Sequence, residues 1–329
     1  MKFLLPALLL ALLCPSLHAA SRIADSTDAQ TFAVDMEKRH GFSRTELLER
    51  FAQISPDPRV LRLIAPPSKP GQRSWARYQP RFLNEQRIAQ GVEFWQNHAA
   101  HLARARALYG VPEEIIVAII GVETVYGRNT GGFRVLDALA TLAFSYPPRA
   151  EFFRTELEQF FLLARENGLD PAEIRGSYAG AIGIPQFMPG SQRRYAIDFD
   201  GDQRIDLSNS DDDAIGSVAH FLLQHGWQSG QPIAVPARLA GPPANEWLEA
   251  GIQPRLLAGD LLAAGVLADT PPTARVTLVD LITPGQATEY WLGFDNFYVI
   301  TRYNRSSFYA MSVFQLAEAI RQRMPGSER

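Results

Sequence analysis

Apolar positions recur along most of this chain at helical spacing. Asp35-Met36-Glu37-Lys38 and Arg44 through Phe51 both follow a 3.6-residue period, and Ser43 is placed to cap the second run. Pro56, Pro58, Pro66, Pro67 and Pro70 then mark a turn-rich stretch. The spacing predicts a helix over 84–109, with Phe94, Leu102 and Leu108 among its apolar positions. Pro112 opens the most apolar helix of the chain, running through Ile115-Ile116-Val117-Ala118-Ile119-Ile120. Proline at its first position and Glu113 and Glu114 in its first turn suit the positive end of the helix dipole. Another helix is predicted over 148–166, where Phe153, Leu157, Phe160, Phe161 and Ala164 form one stripe. Asn167-Gly168 stops it, and Asp170-Pro171 starts a further short helix. Beyond Trp227 the period changes. Residues 231–236, 275–279, 289–292 and 296–300 read as strands, with Gly285 and Gly293 in the turns between them. Residues 307–323 return to helix. The pattern predicts a mainly α (α+β) protein, a helical core with a small β-rich insertion, without repeats.

Composition narrows the function. Among 329 residues, 46% are apolar and 20% charged, which excludes a disordered or collagen-like chain. Lys and Arg number 32 against 35 Asp and Glu, so no basic excess points to a nucleic acid partner. The single cysteine, Cys14, excludes a disulfide framework and a zinc site built on several thiolates. Cys14 lies in a short apolar run after Met1-Lys2 and before Leu17-His18-Ala19-Ala20. This is the layout of a secretory signal peptide over residues 1–20, cut after Ala19. The run is too short to span a bilayer comfortably. A lipoprotein signal modified at Cys14 is the rival, and bulky Leu13 before the cysteine disfavours it. The expectation is export to the periplasm, with a soluble mature chain lacking a thiol and a transmembrane segment.

Three constellations carry candidate chemistry. Glu123 ends the most apolar helix. A carboxyl in such surroundings is penalised when charged, so it stays neutral to higher pH and can protonate a leaving oxygen. From position alone, a helix-end glutamate turned to solvent is an equal reading. Residues 177–191 are rich in small residues and flank them with Ser177 and Gln186, groups suited to sugar hydroxyls and acetamido groups. A tight turn between packed helices would look similar. Asp198, Asp200 and Asp202 stand at the first, third and fifth positions of a calcium-type loop, with Ile205 at the eighth. Gln203 replaces the turn glycine at the sixth, and Asn209 stands where the bidentate glutamate belongs, so a merely solvated acidic loop remains the alternative. His98 and His101 share a helical face, but without a carboxylate partner they read as surface residues. The sequence carries no nucleophilic serine motif and no phosphate-cradling loop.

Gly121-Val122-Glu123-Thr124, Leu136-Asp137-Ala138-Leu139-Ala140-Thr141-Leu142 and residues 177–191 resemble the lytic murein transglycosylases of the B type. Asp213-Ala214-Ile215-Gly216-Ser217, His225-Gly226-Trp227 and Arg302-Tyr303-Asn304 extend the likeness in order from about residue 75 to the C-terminus. The resemblance implies a lysozyme-like helical core with additional N-terminal helices and a small β-rich domain. It implies cleavage of the β-1,4 bond between N-acetylmuramic acid and N-acetylglucosamine of peptidoglycan, without water, leaving a 1,6-anhydromuramoyl end. Glu123 is then the single acid and base. Ordinary glycosidases need two carboxylates; here the substrate's acetamido group and C6 hydroxyl replace the second. Asp137, the nearest acidic candidate, fits better as a cap of the helix that follows it. Ser177, Gln186, Tyr303, Asn304, Tyr309 and Tyr78 would contact substrate, and Phe221 stands where relatives can carry tyrosine. The resemblance also implies a loop closed by Asp213, or by Asp211 or Asp212, with Arg204 in the ligand set. That loop holds structural Ca2+, and no catalytic cofactor is expected. The predicted organisation is an N-terminal helical region over 21–100, a catalytic core over 101–230, a β-rich region over 231–300 and a returning segment over 301–329. Expected partners are glycan strands and other cell-wall enzymes. A hydrolytic muramidase on the same fold and a non-catalytic calcium-binding cell-wall scaffold are the alternatives.

Overall fold

The computed structural model describes residues 22–66 and 73–325. The expected signal peptide with Cys14 lies outside the described residues. Two compact units divide at residue 56. The first holds α1 (Thr27–His40) and α2 (Arg44–Ala52). Ser26 and Ser43 cap these helices by accepting from the amides of Ala29 and Glu46, which satisfies donors a helix start leaves free. Phe32, Met36, Leu47 and Phe51 are buried in this unit.

The second unit begins with α3 (Pro58–Ile64), α4 (Trp75–Tyr78), α5 (Glu85–Asn97), α6 (Ala99–Tyr109) and α7 (Glu113–Thr124). The single helix expected over 84–109 is broken at His98, whose φ of −115° and ψ of 22° end α5 and start α6. Neither glycine nor proline marks that break, so spacing did not reveal it. Ile88, Phe94 and Leu102 share one core with Ile116 and Ile119, so α5 and α6 belong with α7. Pro112 caps α7 from outside its first turn.

Next come β1 (Phe133–Arg134), α8 (Val135–Ser145), α9 (Ala150–Glu166), β2 (Arg175–Gly176), α10 (Pro189–Tyr195) and α11 (Asp211–Gln224). The apolar stripe of α9 is buried as its spacing requires, and Gly168 leaves the helix at φ +63°. Asp170-Pro171 starts a turn and not a helix. Asp170 takes the amide of Ala172 at 3.0 Å, and the chain then extends at once to pair β2 with β1.

The β-rich insertion comprises β3 (Ala234–Leu239), α12 (Asn245–Glu249), β4 (Leu256–Leu257), α13 (Ala258–Ala263), β5 (Val266–Leu267), β6 (Arg275–Leu281) and β7 (Glu289–Gly293). Its five strands are antiparallel in the order β4-β6-β7-β3-β5, with Trp291 opposite Val279 and Leu292 opposite Val235. Leu278, Leu292, Val266 and Leu261 form its own small core. Residues 296–300, read as a strand, form α14 (Asp295–Ile300). The buried Asn296 amide donates to Gln228 O and Gln231 O, and its carbonyl accepts from Gln228 N. That docking overrides the strand preference of Phe-Tyr-Val-Ile. α15 (Ser307–Arg323) then packs back against α7, with Phe308, Met311 and Ile320 in the main core. The helical core with its small sheet is the α+β, lysozyme-like architecture expected from the sequence.

Candidate active site

Glu123 sits in the last turn of α7, where the chain turns sharply. Val125 and Tyr126 both adopt left-handed backbone conformations, with φ of 54° and 58°, before Gly127 at 78°. Such conformations cost of order 1–3 kcal/mol each in residues with side chains, so surrounding contacts must hold them. Three do. The Tyr126 hydroxyl donates to Arg87 O at 2.9 Å. Thr124 Oγ1 donates to Ile184 O at 2.7 Å and accepts from Gly127 N at 3.0 Å. The Arg87 guanidinium donates to the carbonyl of Gly121 and, at 3.4 Å, to that of Val122. Gly121 is required here, because a Cβ would lie 2.5 Å from the Tyr126 hydroxyl.

Residue 123 keeps some surface, but its carboxyl is enclosed by protein. Burial pushes its pKa up to about 7, against the opposing pull of one hydrogen bond. That bond comes from the Tyr309 hydroxyl, 2.6 Å from Oε1. Tyr309 lies in the first turn of α15, where Ser306 caps the helix by accepting from Tyr309 N. Burial first, then the charge of Glu123, keeps Tyr309 and Tyr303 protonated far beyond neutral pH. Tyr78 feels the same two influences. Of the three tyrosines expected at the site, Tyr309 bonds the carboxyl, and Tyr303 and Tyr78 lie close enough to feel its charge. Asp137 does not join them: it pairs with Arg134 at 2.8 Å in the first turn of α8.

Residues 176–187 form a tight double turn. Ile182 bridges to both Gly176 and Phe187. Ser177 Oγ accepts from Ala181 N at 3.1 Å, so this hydroxyl also shapes the turn. Gln186 has a φ of 53°, and its side-chain amide donates to Thr130 O and Gly183 O, each at 3.0 Å. The Tyr303 hydroxyl donates to Pro185 O at 2.7 Å, which ties this turn to the segment before α15. Gln186 and Tyr303 border a cavity of about 280 Å³ floored by Phe221. Phe221 is only 5% exposed and packs on His225, Tyr303, Tyr195 and Phe187. It shapes the cavity and offers little open face for stacking. Asn304 is exposed on the turn before α15. A larger cavity of about 670 Å³ lies between the end of α9 and the acidic loop, and Glu123 is in the wall of neither.

In the acidic loop, single carboxylate oxygens of Asp198, Asp200 and Asp202 lie within 4.8 Å of one another. Gln203, where a calcium loop has glycine, nevertheless takes the left-handed conformation at φ 72°. The backbone therefore meets the turn requirement of such a loop despite the side chain. Arg204 N donates to Asp202 Oδ1 at 2.8 Å. Asp213 is buried and stands apart from the trio. Its oxygens accept from the amides of Phe199 at 2.7 Å and Asp206 at 2.8 Å, closing the loop on itself. The donor set of hard carboxylate oxygens in this turn fits calcium. The loop also reaches the site: Ile184 N donates to Leu207 O at 2.7 Å, and a Cβ on Gly183 would meet Leu207 O at 2.3 Å.

Arg87, Thr124 and Tyr126 hold the turn that follows Glu123, and none stood out in the sequence. The left-handed pair at Val125 and Tyr126 has no signature there, since neither residue favours that conformation.

Comparisons with known proteins give the family of the chain. The family model described as Transglycosylase SLT domain matches residues 24–318. The chain is 44% identical over 310 residues to membrane-bound lytic murein transglycosylase B of Escherichia coli (strain K12), covering 90% of this chain and 83% of that protein. The X-ray structure of catenated lytic transglycosylase SltB1 from Pseudomonas aeruginosa superposes with a TM-score of 0.85 at 46% identity, over 91% of this chain and 98% of that one. Escherichia coli lytic transglycosylase Slt35 in complex with calcium superposes with a TM-score of 0.80 at 43% identity, over 90% and 93%.

Proposed function

The chain belongs to the transglycosylase SLT domain family and is a peptidoglycan lytic transglycosylase, and we propose that Glu123 alone carries its acid and base steps. The observation behind this is the enclosed carboxyl with a pKa of about 7, hydrogen-bonded to Tyr309. At neutral pH about half of such groups hold the proton that the first step consumes.

Glu123 donates its proton to the oxygen of the β-1,4 bond as the bond to the anomeric carbon of N-acetylmuramic acid breaks. The sugar's own acetamido oxygen supports that carbon. The Glu123 carboxylate then takes the C6 hydroxyl proton as O6 bonds to the anomeric carbon. The acetamido oxygen leaves, the 1,6-anhydro ring closes, and the acid is restored. No water is consumed, so no second carboxylate is required. Tyr309 orients the acid. Gln186 and Ser177 lie on the turn facing the acetamido side, and Tyr303, Tyr78, Asn304 and Phe221 frame the sugar.

The acidic loop binds calcium as a structural ion through Asp198, Asp200, Asp202 and Arg204. Asp213 acts here by tying the loop's amides, and the calcium complex of Slt35 supports the reading. Glycan strands of peptidoglycan are the substrate, and other cell-wall enzymes are expected partners. That substrate lies outside the cytoplasm, which fits export through residues 1–20. Among the described residues, no helix is long and apolar enough to cross a membrane. The name of the Escherichia coli relative, membrane-bound, favours a second reading in which Cys14 carries lipid. Palmitate labelling of the wild type against Cys14→Ser decides between them.

The test of the chemistry is digestion of purified sacculi followed by mass spectrometry. Wild type releases anhydromuropeptides, one water lighter than hydrolytic products. Glu123→Gln releases none while keeping the folded spectrum. Full turnover by that variant, or reducing-end products from wild type, overturns the proposal.

A further inference from the structure

His98 and His101 found no carboxylate partner in the sequence, but the fold supplies two. The break between α5 and α6 turns both histidines toward the first turn of α11. His98 Nδ1 lies 3.3 Å and His101 Nδ1 lies 2.9 Å from the same oxygen, Asp212 Oδ1. His98 Nε2, the other ring nitrogen, lies 3.3 Å from Asp211 Oδ2. Donor atoms of His98, His101 and Asp212 all fall within 4.8 Å of one another.

We propose that His98, His101 and Asp212 form a site for a zinc-class divalent transition ion, separate from the acidic loop. Donors about 2.0–2.1 Å from a tetrahedral ion stand about 3.3 Å apart, and the two nitrogens already lie 3.3 and 2.9 Å from Asp212 Oδ1. Two imidazole nitrogens and one carboxylate select zinc over calcium, which takes oxygen. Asp211 Oδ2 stands 3.3 Å from Nε2 as the outer partner that metal-bound histidines usually have, which leaves Nδ1 as the ligand atom. Phe94 packs beside the His98 ring at 4.6 Å and limits its rotation. The side chains are 22%, 38% and 24% exposed, so an ion can reach them and water can fill the fourth position. The bound ion clips α6 to α11 immediately beside Asp213. This inference does not depend on the transglycosylase reading.

The experiment is calorimetric titration of the calcium-saturated protein with zinc, with cobalt absorption as a second readout of coordination. One equivalent of zinc binds, and cobalt gives the visible bands of a four-coordinate nitrogen and oxygen site. His101→Gln and Asp212→Asn each weaken zinc by more than about 100-fold, beyond the loss expected for an outer partner. Asp211→Asn weakens it by about 10–100-fold. Asp200→Asn, which disables the neighbouring loop, leaves zinc binding unchanged. His101→Gln in zinc-free buffer keeps wild-type melting and anhydromuropeptide release, which shows it is folded. Absence of saturable zinc binding by the calcium-loaded wild type overturns the proposal. So does zinc binding that survives His101→Gln but is lost in Asp200→Asn.

Discussion

Replacing Glu123 with glutamine keeps the shape of the side chain and the acceptor for the Tyr309 hydroxyl, but removes a charge that the site penalises. The folded pKa is about 7, against 4.5 for an unperturbed glutamate. Between these values the folded protein binds more protons than the unfolded chain, so stability falls as pH rises through this window. Above the folded pKa the full penalty is present, and below the unfolded value it is absent. At about 1.36 kcal/mol per pKa unit the ceiling is about 3 kcal/mol. Water at the partly exposed residue lowers it, leaving about 1–3 kcal/mol. Urea unfolding of both proteins near pH 4 and near pH 8 reads this directly. The variant should match wild type at the lower pH and exceed it by about 1–3 kcal/mol at the higher. The catalytic acid would then be an example of stability given up for function. A difference that is the same at both pH values refutes the reasoning, as does a wild type more stable than the variant near pH 8.

Tyr309→Phe removes the hydrogen bond that opposes the rise in the Glu123 pKa. A hydrogen bond to a charged group contributes about 1.5–3 kcal/mol, so the pKa climbs by about 1–2 units. Activity falls as the acid deprotonates, so the alkaline limb of kcat/KM should move to higher pH; an unmoved limb removes the assigned role of Tyr309. Gln203→Gly relieves a left-handed glutamine and should add about 1 kcal/mol of stability in calcium, with tighter calcium binding by calorimetry. Looser binding would contradict the loop reading. Chelation of calcium should lower the melting temperature reversibly, with calcium restoring it, whereas no shift would leave only a solvated acidic loop.

What the sequence made legible follows from the range of each interaction. The helix over 307–323 and the N-cap at Ser43 rest on neighbours within a few residues, and both stand as read. Glu123 stood out as a carboxyl in an apolar run, a local anomaly, but position alone left it equal to a solvent-facing glutamate, and the resemblance made it the candidate acid. The errors arose where distant groups decide. Residues 296–300 carry a strand-like composition, but Asn296 is bonded to a loop more than sixty residues away. The break at His98 becomes intelligible only beside α11. The partners of His98 and His101 lie more than a hundred residues along the chain, beyond any spacing rule. The resemblance supplied Tyr309, which no local pattern would have joined to Glu123.

The position of the acid at the end of α7 explains why distant parts of the chain bear on it. The negative end of a helix dipole disfavours a carboxylate there, adding to burial. The Arg87 guanidinium covers the last carbonyls, so it fixes the helix end, while among the described residues Tyr309 bonds the carboxyl. The left-handed pair that follows is held by Thr124, whose acceptor is Ile184. Ile184 in turn donates to Leu207 of the acidic loop, and Asp213 secures that loop through the amides of Phe199 and Asp206. An unbroken run of hydrogen bonds therefore leads from the calcium-type loop to the residue beside the acid. On the proposed reading, calcium in the loop would take no part in the chemistry, yet it would stabilise the last link that keeps a strained turn in place. Its effect on turnover should come through the placing of Glu123, with the pKa of the carboxyl, set by burial and Tyr309, left as it is.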